Sequence, residues 1–348
     1  MRILSTHKKK NAPAWLRRVE LLPDWEAYVD RNWHKHKPSV GILYSDLKWA
    51  WKFFRTSRKY DVLLTGSERI ALVVALMQKL VRRDRRVPHV FLECMWTLPQ
   101  GRFARWKRRL LLRWVAEAAD RIVVYSRHQI DAYSNLLGVS KHKFAFVHSH
   151  STLYNKVYPA VAGAYIFSGG YTNRDYPTLL EAVRGLPYPT VICVGSKRTL
   201  GPEIPANVEV FENLSEDDFN RHMAASAFVV VPLRAAVLEM GGRQVLQNAM
   251  TMGKAVIVSD TTATDYITNN ITGLLVPPEN PALLREAILF LISNRAVAEQ
   301  LGREAQKLST EFTPEKFFER LFAIVEDSTQ RRAATMAQRA EDSAGTTG

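Results

Sequence analysis

Two glycines and an arginine stand near the middle of the chain, in the stretch FSGGYTNRDYPTLLEAV at Phe167–Val183. Gly169 and Gly170 end an apolar, strand-like run, Arg174 follows four residues later, and a helical pattern begins directly afterwards. Glycines let the backbone approach a ligand closely, and the amides at a helix start can hold an anion. The stretch therefore predicts a phosphate site. The alternative is a tight strand-to-helix turn with a surface arginine.

Strands and helices must position the two glycines and the arginine. Strand-like and helix-like segments alternate along the chain, beginning in its first half. Apolar strands that alternate with helices indicate a parallel sheet covered on both faces. The predicted strands are Met1–Ser5, Val40–Tyr44, Tyr60–Gly66, Val87–Glu93, Asp120–Ser126 and Lys143–Ser149. The predicted helices are Glu68–Val81, Arg102–Ala118 and residues 127–137.

The alternation restarts after Tyr158. The predicted strands are residues 164–170, Thr190–Gly195, Asn207–Leu214, Ala227–Leu233, Ala255–Asp260 and Gly273–Pro277. The predicted helices are Tyr176–Arg184 and residues 216–224, 242–252, 281–293 and 295–308. The fold class predicted is α/β, with two doubly wound, Rossmann-like domains that face a cleft and bind ligands at the carboxyl ends of their strands.

The domain limits follow from this pattern. We predict a first domain at 1–158 and a second at 159–312. A helix at 313–327 is expected to pack back on the first domain, because Thr313 can cap it, Pro314 suits its first position and an apolar stripe follows. The remainder, 328–348, has little to bury and is predicted to be a flexible tail.

The net charge of +14 is distributed unevenly. Residues 1–160 hold 31 Lys and Arg against 12 Asp and Glu, a net charge of +19, whereas residues 161–348 have a net charge of −5. A strongly basic half indicates a polyanionic partner, either a nucleic acid or an anionic membrane surface.

The longest clean apolar run, Ile70–Met77, is too short to span a membrane. With no secretory signal, we expect a cytoplasmic protein whose Cys94 and Cys193 are reduced.

Several stretches of the second half, in this order and spacing, are typical of one enzyme family. They are FSGGYTNRDYPTLLEAV, AFVVVPL, VLQNAMTMGKAVIVSD, DYITNNITGLLVPPENPALLREAI and FTPEKFFERL, all between Ala164 and Asp327. In these stretches the chain resembles the GT-B fold glycosyltransferases that carry an E-x7-E signature, the group 1, family 4-like transferases. In the first half only YDVLLTG and ADRIVVYSRHQIDAYSNLLGVSKHKFAFV resemble the family.

The resemblance implies that the second domain binds a nucleotide-diphosphate sugar and the first domain binds the acceptor. It also implies a transfer that retains the anomeric configuration, with no metal and no cofactor besides the donor. Gly169 and Gly170 would approach the donor diphosphate, and Arg174 would neutralise charge on the leaving nucleotide. Family members have a second cation nearby, which Lys197 or Arg198 could supply here.

The two signature glutamates of the family are altered in this chain. Asn248 stands where the family has the glutamate that binds the ribose, and an amide can still accept from and donate to a diol. Eight residues earlier stands Met240, and we predict that its neighbour Glu239 reaches the donor sugar; the alternative is a degenerate site with Glu239 on the surface. Further donor contacts are predicted at Asn213, Leu214, Gly241, Gly242, Arg243 and Gln244. The last four open a helix whose amides can face the diphosphate.

The first domain offers a carboxylate for the acceptor. The family often places a histidine just after the strand that corresponds to Val87–Glu93, and Glu93 occupies that place here. Glu93 could orient or deprotonate an acceptor hydroxyl, or it could simply bond to a loop. The run HSHS at 148–151 lies near the expected domain boundary, and we predict a solvated linker there rather than a metal site.

The run GRFARWKRRLLLRWVAEA predicts an amphipathic helix. At about 100° per residue, one side carries Phe103, Trp106, Leu110, Leu111 and Trp114, and the other carries Arg102, Arg105, Arg108, Arg109 and Arg113. Tryptophans on the apolar side with arginines opposite suit a membrane interface. The alternative is that the apolar side packs on its own sheet and the arginines face solvent, and both can hold.

These features together predict a peripheral glycosyltransferase at the inner face of the cell membrane. It would move a sugar from a nucleotide-diphosphate sugar to a lipid-linked or cell-envelope glycan acceptor. Membrane contacts are predicted at Arg102, Arg105, Trp106, Arg108, Arg109 and Trp114. Two alternatives stay open. A non-catalytic GT-B scaffold would explain the altered signature, and a nucleic-acid-binding protein would explain the basic half, although no zinc spacing, RNA-recognition signature or basic zipper accompanies it.

Overall fold

The computed structural model describes residues 1–6, 18–25, 28, 40–66, 68–81, 86–92, 96, 99, 101–153, 156–159, 163–235, 241–261 and 265–345. The chain forms two compact units, the first made of Met1–Val147 with Phe318–Gly348 and the second of His148–Phe317. Each unit holds a six-stranded parallel sheet with flanking helices, which confirms the predicted α/β class. The first boundary between the two units follows Val147, earlier than the predicted limit at 158. The reason is that Ser149 and Ser151, in the segment that follows, form hydrogen bonds within the second unit.

Short buried strands form the sheet of the first unit. They are β1 (Ile3–Ser5), β2 (Val19–Leu21), β3 (Val62–Thr65), β4 (His89–Phe91), β5 (Arg121–Val124) and β6 (Phe144–Phe146). They pair in parallel in the order β2-β1-β3-β4-β5-β6. In this register Leu63 of β3 lies between Leu4 of β1 and His89 of β4, and all three are buried, as expected for a parallel sheet covered on both faces.

Helices connect these strands: α1 (Val40–Ser57), α2 (Glu68–Leu80), α3 (Arg102–Ala118) and α4 (Arg127–Leu137). Local sequence sets the ends of α4, because Gln129 accepts a hydrogen bond from the Ser126 amide at 3.1 Å and Gly138 ends the helix in the left-handed conformation. The strand predicted at Val40–Tyr44 is wrong. These residues begin α1, since apolar positions at helical spacing continue beyond them to Phe54.

The second sheet places its two central strands where a ligand site is expected. Its strands are β7 (Ile166–Gly169), β8 (Thr190–Val194), β9 (Val208–Glu212), β10 (Phe228–Val231), β11 (Val256–Ser259) and β12 (Leu274–Val276). They pair in parallel in the order β12-β11-β10-β7-β8-β9. The chain therefore reverses its direction across the sheet between β7 and β10, and a crevice opens at the carboxyl ends of strands at such a switch point.

The helices of the second unit are α5 (Tyr176–Val183), α6 (Glu216–Ala224), α7 (Arg243–Thr251), α8 (Pro281–Ser293) and α9 (Arg295–Ser309). Side-chain caps begin three of them. Asp175 accepts from the Thr178 amide at the start of α5, Ser215 from the Asp218 amide at α6, and Asn280 from the Leu283 amide at α8. Each cap satisfies an amide that the first turn of its helix leaves without a backbone partner.

A long helix, α10 (Pro314–Gly345), ends the described chain and belongs to the first unit from Phe318 onward. Residues 328–345, which the sequence predicted as a flexible tail, continue this helix. Arg332 lies 3.1 Å from Asp120, and Arg121 lies 3.2 Å from Asp327, so ion pairs with residues distant in sequence accompany this helix. Among the described helices, none combines the length and the hydrophobicity that a transmembrane span requires.

Candidate functional site

The candidate site forms where β7 and β10 end side by side. Gly169 is the last residue of β7, and Arg174 bridges Leu233, two residues beyond β10. Backbone bonds fix the two loops together, since the Asp175 amide donates to Pro232 O and the Arg234 amide donates to Asn173 O, both at 3.1 Å. The loop that the sequence predicted after β7 is thus held against the loop that follows β10.

Arg174 is buried in this loop pair, with 6% of its surface exposed. Its Nε donates to Gly169 O at 2.8 Å and its Nη1 to Thr172 O at 3.0 Å. Within the described ranges, no carboxylate lies in ion-pair distance of this guanidinium. Burial lowers the pKa of Arg174, and the neighbouring Tyr176 opposes that shift. The alternative prediction, a turn with a surface arginine, is therefore wrong, because Arg174 is a buried cation that donates to neutral carbonyls.

Two glycines make room for the Arg174 guanidinium. Gly170 has φ +98°, and a Cβ there would lie 2.6 Å from Arg174 Nη2. Gly242 has φ +75°, and a Cβ there would lie 3.1 Å from Arg174 Nη1 and 2.5 Å from Val231 Cγ1. Positive φ and close approach both favour glycine. One glycine from each pair that the sequence singled out, Gly170 and Gly242, therefore lies against the same cation, although the two are more than 70 residues apart in sequence.

Helix α7 begins beside this cation. Gly242 is its left-handed N-cap and makes no side-chain capping bond, so the first amides of the helix receive no acceptor from it. The positive end of the helix dipole adds to the charge of Arg174 there. Arg243 is half-buried and Gln244 is exposed at this helix start, where the sequence predicted donor contacts. The arrangement suits a phosphorylated ligand.

Arg234 is a candidate that the sequence reasoning missed. It follows β10 directly after Leu233, its side chain is exposed, and its Nε lies 3.3 Å from Arg174 O. The next residue is also fixed, because the Ala235 amide donates to Glu279 Oε1 at 3.2 Å. A basic residue just after the strand that neighbours β7 was the available signal, but the sheet order needed to use it cannot be read from the sequence.

The second cation predicted from the sequence stands elsewhere along the sheet edge. Lys197 and Arg198 are exposed in the short 3₁₀ turn after β8, and the Lys197 amide donates to Glu212. Asn213 and Leu214 follow β9, with Asn213 in the left-handed conformation at φ 52°. Lys197 and Arg198 follow the strand that pairs with β7 on the side opposite β10, whereas Asn213 and Leu214 follow β9, one strand further along the same edge.

Asn248, predicted to bind the ribose, is buried and bonded at both ends of its amide. Its Oδ1 accepts from Ser151 Oγ at 2.9 Å and from the Thr152 amide at 3.0 Å. Its Nδ2 donates to Thr152 Oγ1 at 3.0 Å and to Asn220 Oδ1 at 3.4 Å. These bonds use the two donors and both acceptor positions of an amide. A ribose contact would have to break them; as it stands, Asn248 ties residues 151–152 to α7.

The solvated linker predicted at 148–151 is wrong, because Ser149, His150 and Ser151 are buried. Ser149 Oγ donates to Gln247 Oε1 at 3.1 Å, and the His150 ring packs on Phe317 with centroids 4.8 Å apart. Throughout the described part of the chain, no group of three or more His, Cys, Asp or Glu is arranged to hold a metal.

The two carboxylates assigned to catalysis cannot be placed. Glu93 and Glu239 lie outside the described residues, and their roles toward the acceptor and the donor sugar stay predictions.

Two family models match the chain. Residues 164–294 match the glycosyl transferases of group 1, and residues 10–150 match the glycosyl transferase 4-like domain. Among curated proteins, the D-rhamnosyltransferase WbpZ of Pseudomonas aeruginosa (strain PAO1) is 36% identical over 140 residues. That match takes in 37% of this chain and 35% of the relative, so the chain spans about a third of the length of that curated protein.

Solved structures share the fold at low identity. A sucrose-phosphate synthase from Thermosynechococcus elongatus superposes with a TM-score of 0.66 at 18% identity, over 84% of this chain and 80% of that one. Anabaena Alr3699/HepE in complex with UDP-glucose gives a TM-score of 0.65 at 15% identity, over 97% and 100%. The lipopolysaccharide outer core galactosyltransferase WaaB gives 0.64 at 12% identity, over 94% and 99%.

Proposed function

The chain belongs to the glycosyl transferases of group 1 and has the GT-B fold, and on that premise we propose that it moves a sugar from a nucleotide-diphosphate sugar to a lipid-linked or cell-envelope glycan acceptor. The observation that carries the proposal is the buried Arg174 guanidinium, set between Gly170 and Gly242 at the switch point of the second sheet. Among the described residues the side chain of Arg174 donates to backbone carbonyls, and a buried cation with neutral partners is costly unless an anion completes the site. The donor diphosphate is that anion.

Charge on the leaving diphosphate is stabilised by groups already in place. Bond cleavage at the sugar leaves negative charge on the nucleotide, and Arg174 with the first amides of α7 meets that charge in a site of low dielectric. Arg234 adds a second positive charge at the rim. These protein cations take the part that a metal plays on the diphosphate in other transferases. We expect retention of the anomeric configuration, with Glu239 on the donor sugar and Glu93 on the acceptor hydroxyl.

The related proteins support this choice of donor and acceptor. HepE was solved with UDP and with UDP-glucose, and its fold covers nearly all of this chain. WaaB is a lipopolysaccharide galactosyltransferase and WbpZ is a D-rhamnosyltransferase. A glycan of the cell envelope as acceptor, reached from the cytoplasmic face of the membrane, fits these names and the basic first half of the chain.

A thermal-shift screen of nucleotides and nucleotide sugars tests the proposal. A ligand bound only by the folded protein raises its stability by about 2.7 kcal/mol at a hundred times its dissociation constant. We expect nucleoside diphosphates and their sugars to raise the melting temperature, and nucleoside monophosphates to do so much less. No shift with any diphosphate would favour the non-catalytic scaffold, and a shift with oligonucleotides alone would favour the nucleic-acid-binding protein.

Replacing Gly170 by alanine is expected to weaken nucleoside diphosphate binding at least about tenfold. The new Cβ would lie 2.6 Å from Arg174 Nη2 and displace the guanidinium. Gly201→Ala is the matched control, because Gly201 has φ +91° and no described residue places a heavy atom within 4 Å of the new Cβ. Alanine is strained by about 1–3 kcal/mol in such a region, and both positions have a positive φ, +98° at Gly170 and +91° at Gly201. Equal binding losses in the two variants, measured by titration calorimetry, would show that strain rather than the guanidinium is responsible.

A further inference from the structure

Helix α3 exposes an apolar stripe that the sequence could not assign to core or surface. Phe103, Trp106, Leu110 and Trp114 are exposed by 67, 59, 37 and 47%. The face that packs on the first unit is a different one, made of Leu112, Val115 and Ala116. The alternative in which the tryptophans pack on their own sheet is therefore wrong.

Helix α1 carries a second stripe of the same kind. Leu43, Tyr44, Leu47 and Trp51 are exposed by 47, 64, 51 and 53%, whereas Ala50 and Phe53 are buried. The exposed residues recur at three- and four-residue spacing and so form one side of the helix. The sequence reasoning missed this stripe because it assigned the start of α1 to a strand.

The two stripes lie on the same side of the first sheet. Each connection from β2 to β3, β3 to β4 and β4 to β5 moves in one direction across the sheet, and right-handed crossovers then put α1, α2 and α3 on one face. Helix α2 packs against both neighbours, and its Lys79 lies over the Trp114 ring at 5.4 Å. Helices α1 and α3 therefore flank α2 and present their stripes outward.

Both helices are basic around their stripes. Helix α1 has Lys48, Lys52 and Arg55 exposed, and its single acid, Asp46, is buried. Helix α3 has six Lys or Arg and a single acid, Glu117, which pairs with Lys79 at 2.7 Å and Arg113 at 3.0 Å. The two helices thus combine exposed bulky apolar side chains with many basic ones.

We infer that the outer faces of α1 and α3 form one docking surface for an anionic lipid bilayer. Aromatic side chains at the level of the headgroups, with cations beside them, are what an interfacial helix presents to such a bilayer. A second copy of the chain is disfavoured as occupant, because it would bring two basic surfaces together. A nucleic acid would use the cations and could stack on the rings, but it gives Leu43, Leu47 and Leu110 no partner. The inference deepens the proposed function by naming the surface that faces the acceptor's membrane.

Liposome sedimentation of the full chain tests the inference without any nucleotide sugar. We expect binding to vesicles of equimolar phosphatidylcholine and phosphatidylglycerol, and none to phosphatidylcholine alone. Changing Arg105, Arg108 and Arg109 to Glu is expected to weaken binding on the order of 100-fold. Changing Trp51 and Trp106 to Ser is expected to remove the part of the binding that survives added salt, because apolar insertion is not screened.

Matched controls and contrary outcomes separate this inference from the donor site. Arg221, Arg295 and Arg303 of the second unit are exposed by 64 to 67%, and changing them to Glu alters net charge equally but should leave vesicle binding unchanged. Melting curves check that every variant folds.

Four outcomes would each overturn the inference: equal binding to both vesicle types, no binding to vesicles at low salt, binding to oligonucleotides only, or dimers of the chain that the triple variant abolishes. Unchanged binding by Trp51→Ser would remove α1 from the surface. None of these results bears on the nucleotide shifts that test the donor site.

Discussion

Replacing Arg174 by methionine is expected to lower turnover at least about 100-fold. Methionine keeps a long side chain but removes the charge that meets the leaving diphosphate. Because the guanidinium is buried, its interaction with a diphosphate is poorly screened by water and strongly favours the charged product. The steady-state rate of sugar transfer, or of donor hydrolysis, with the nucleotide sugar found in the thermal-shift screen is the measurement.

The stability of this variant should change far less than its rate. Loss of the guanidinium leaves Gly169 O and Thr172 O without a donor, at about 1 kcal/mol each, but it also removes a buried charge that has no carboxylate partner within the described ranges. The two effects oppose each other. Arg303→Met, on an exposed face of α9, is the control and should retain full turnover. Unchanged turnover in the Arg174→Met enzyme would remove Arg174 from the mechanism, whatever the melting temperature of that variant.

The strands and helices of the second unit were predictable because each has a local signal. Buried strands such as Val256–Ser259 are continuous apolar runs, and helices such as α8 begin with a capping residue and a proline. Val40–Tyr44 lacked such a signal, because a short apolar run fits a strand or a helix equally well. The helix after residue 328 was missed for a different reason: the ion pair between Arg332 and Asp120 joins residues 212 apart in sequence.

The candidate site was predictable only in part. Gly170 and Gly242 could each be recognised as a candidate site residue from the sequence, because a backbone with positive φ favours glycine. Their convergence on Arg174 depends on β7 lying beside β10, which no local pattern encodes. Asn248 shows the same limit. Its type suited a diol, but its actual partners are Ser151 and Thr152, almost 100 residues earlier in the chain.

Arg234→Met is expected to lower turnover about 10- to 100-fold, a smaller loss than at Arg174 because the side chain is exposed and partly screened. Its backbone amide is tied to Asn173 O, and its Nε lies beside Arg174 O, so the side chain projects from the same loop pair that holds the buried cation. Lys197→Met is the matched comparison. It removes an exposed cation that follows the neighbouring strand β8, and the sequence alone favoured it for the same role.

Ligand dependence separates charge neutralisation from loop support in the Arg234 variant. If Arg234 neutralises the diphosphate, Arg234→Met should shrink the thermal shift given by the preferred nucleoside diphosphate while leaving the smaller shift of the monophosphate intact. If Arg234 only steadies the Arg174 loop through the bond to Arg174 O, both shifts should shrink together, and Arg234→Lys should not restore them. A larger loss of turnover in Lys197→Met than in Arg234→Met would return the second cation to the end of β8. The sheet order argues for the opposite result, because β10 is the strand whose end shares the switch point with β7.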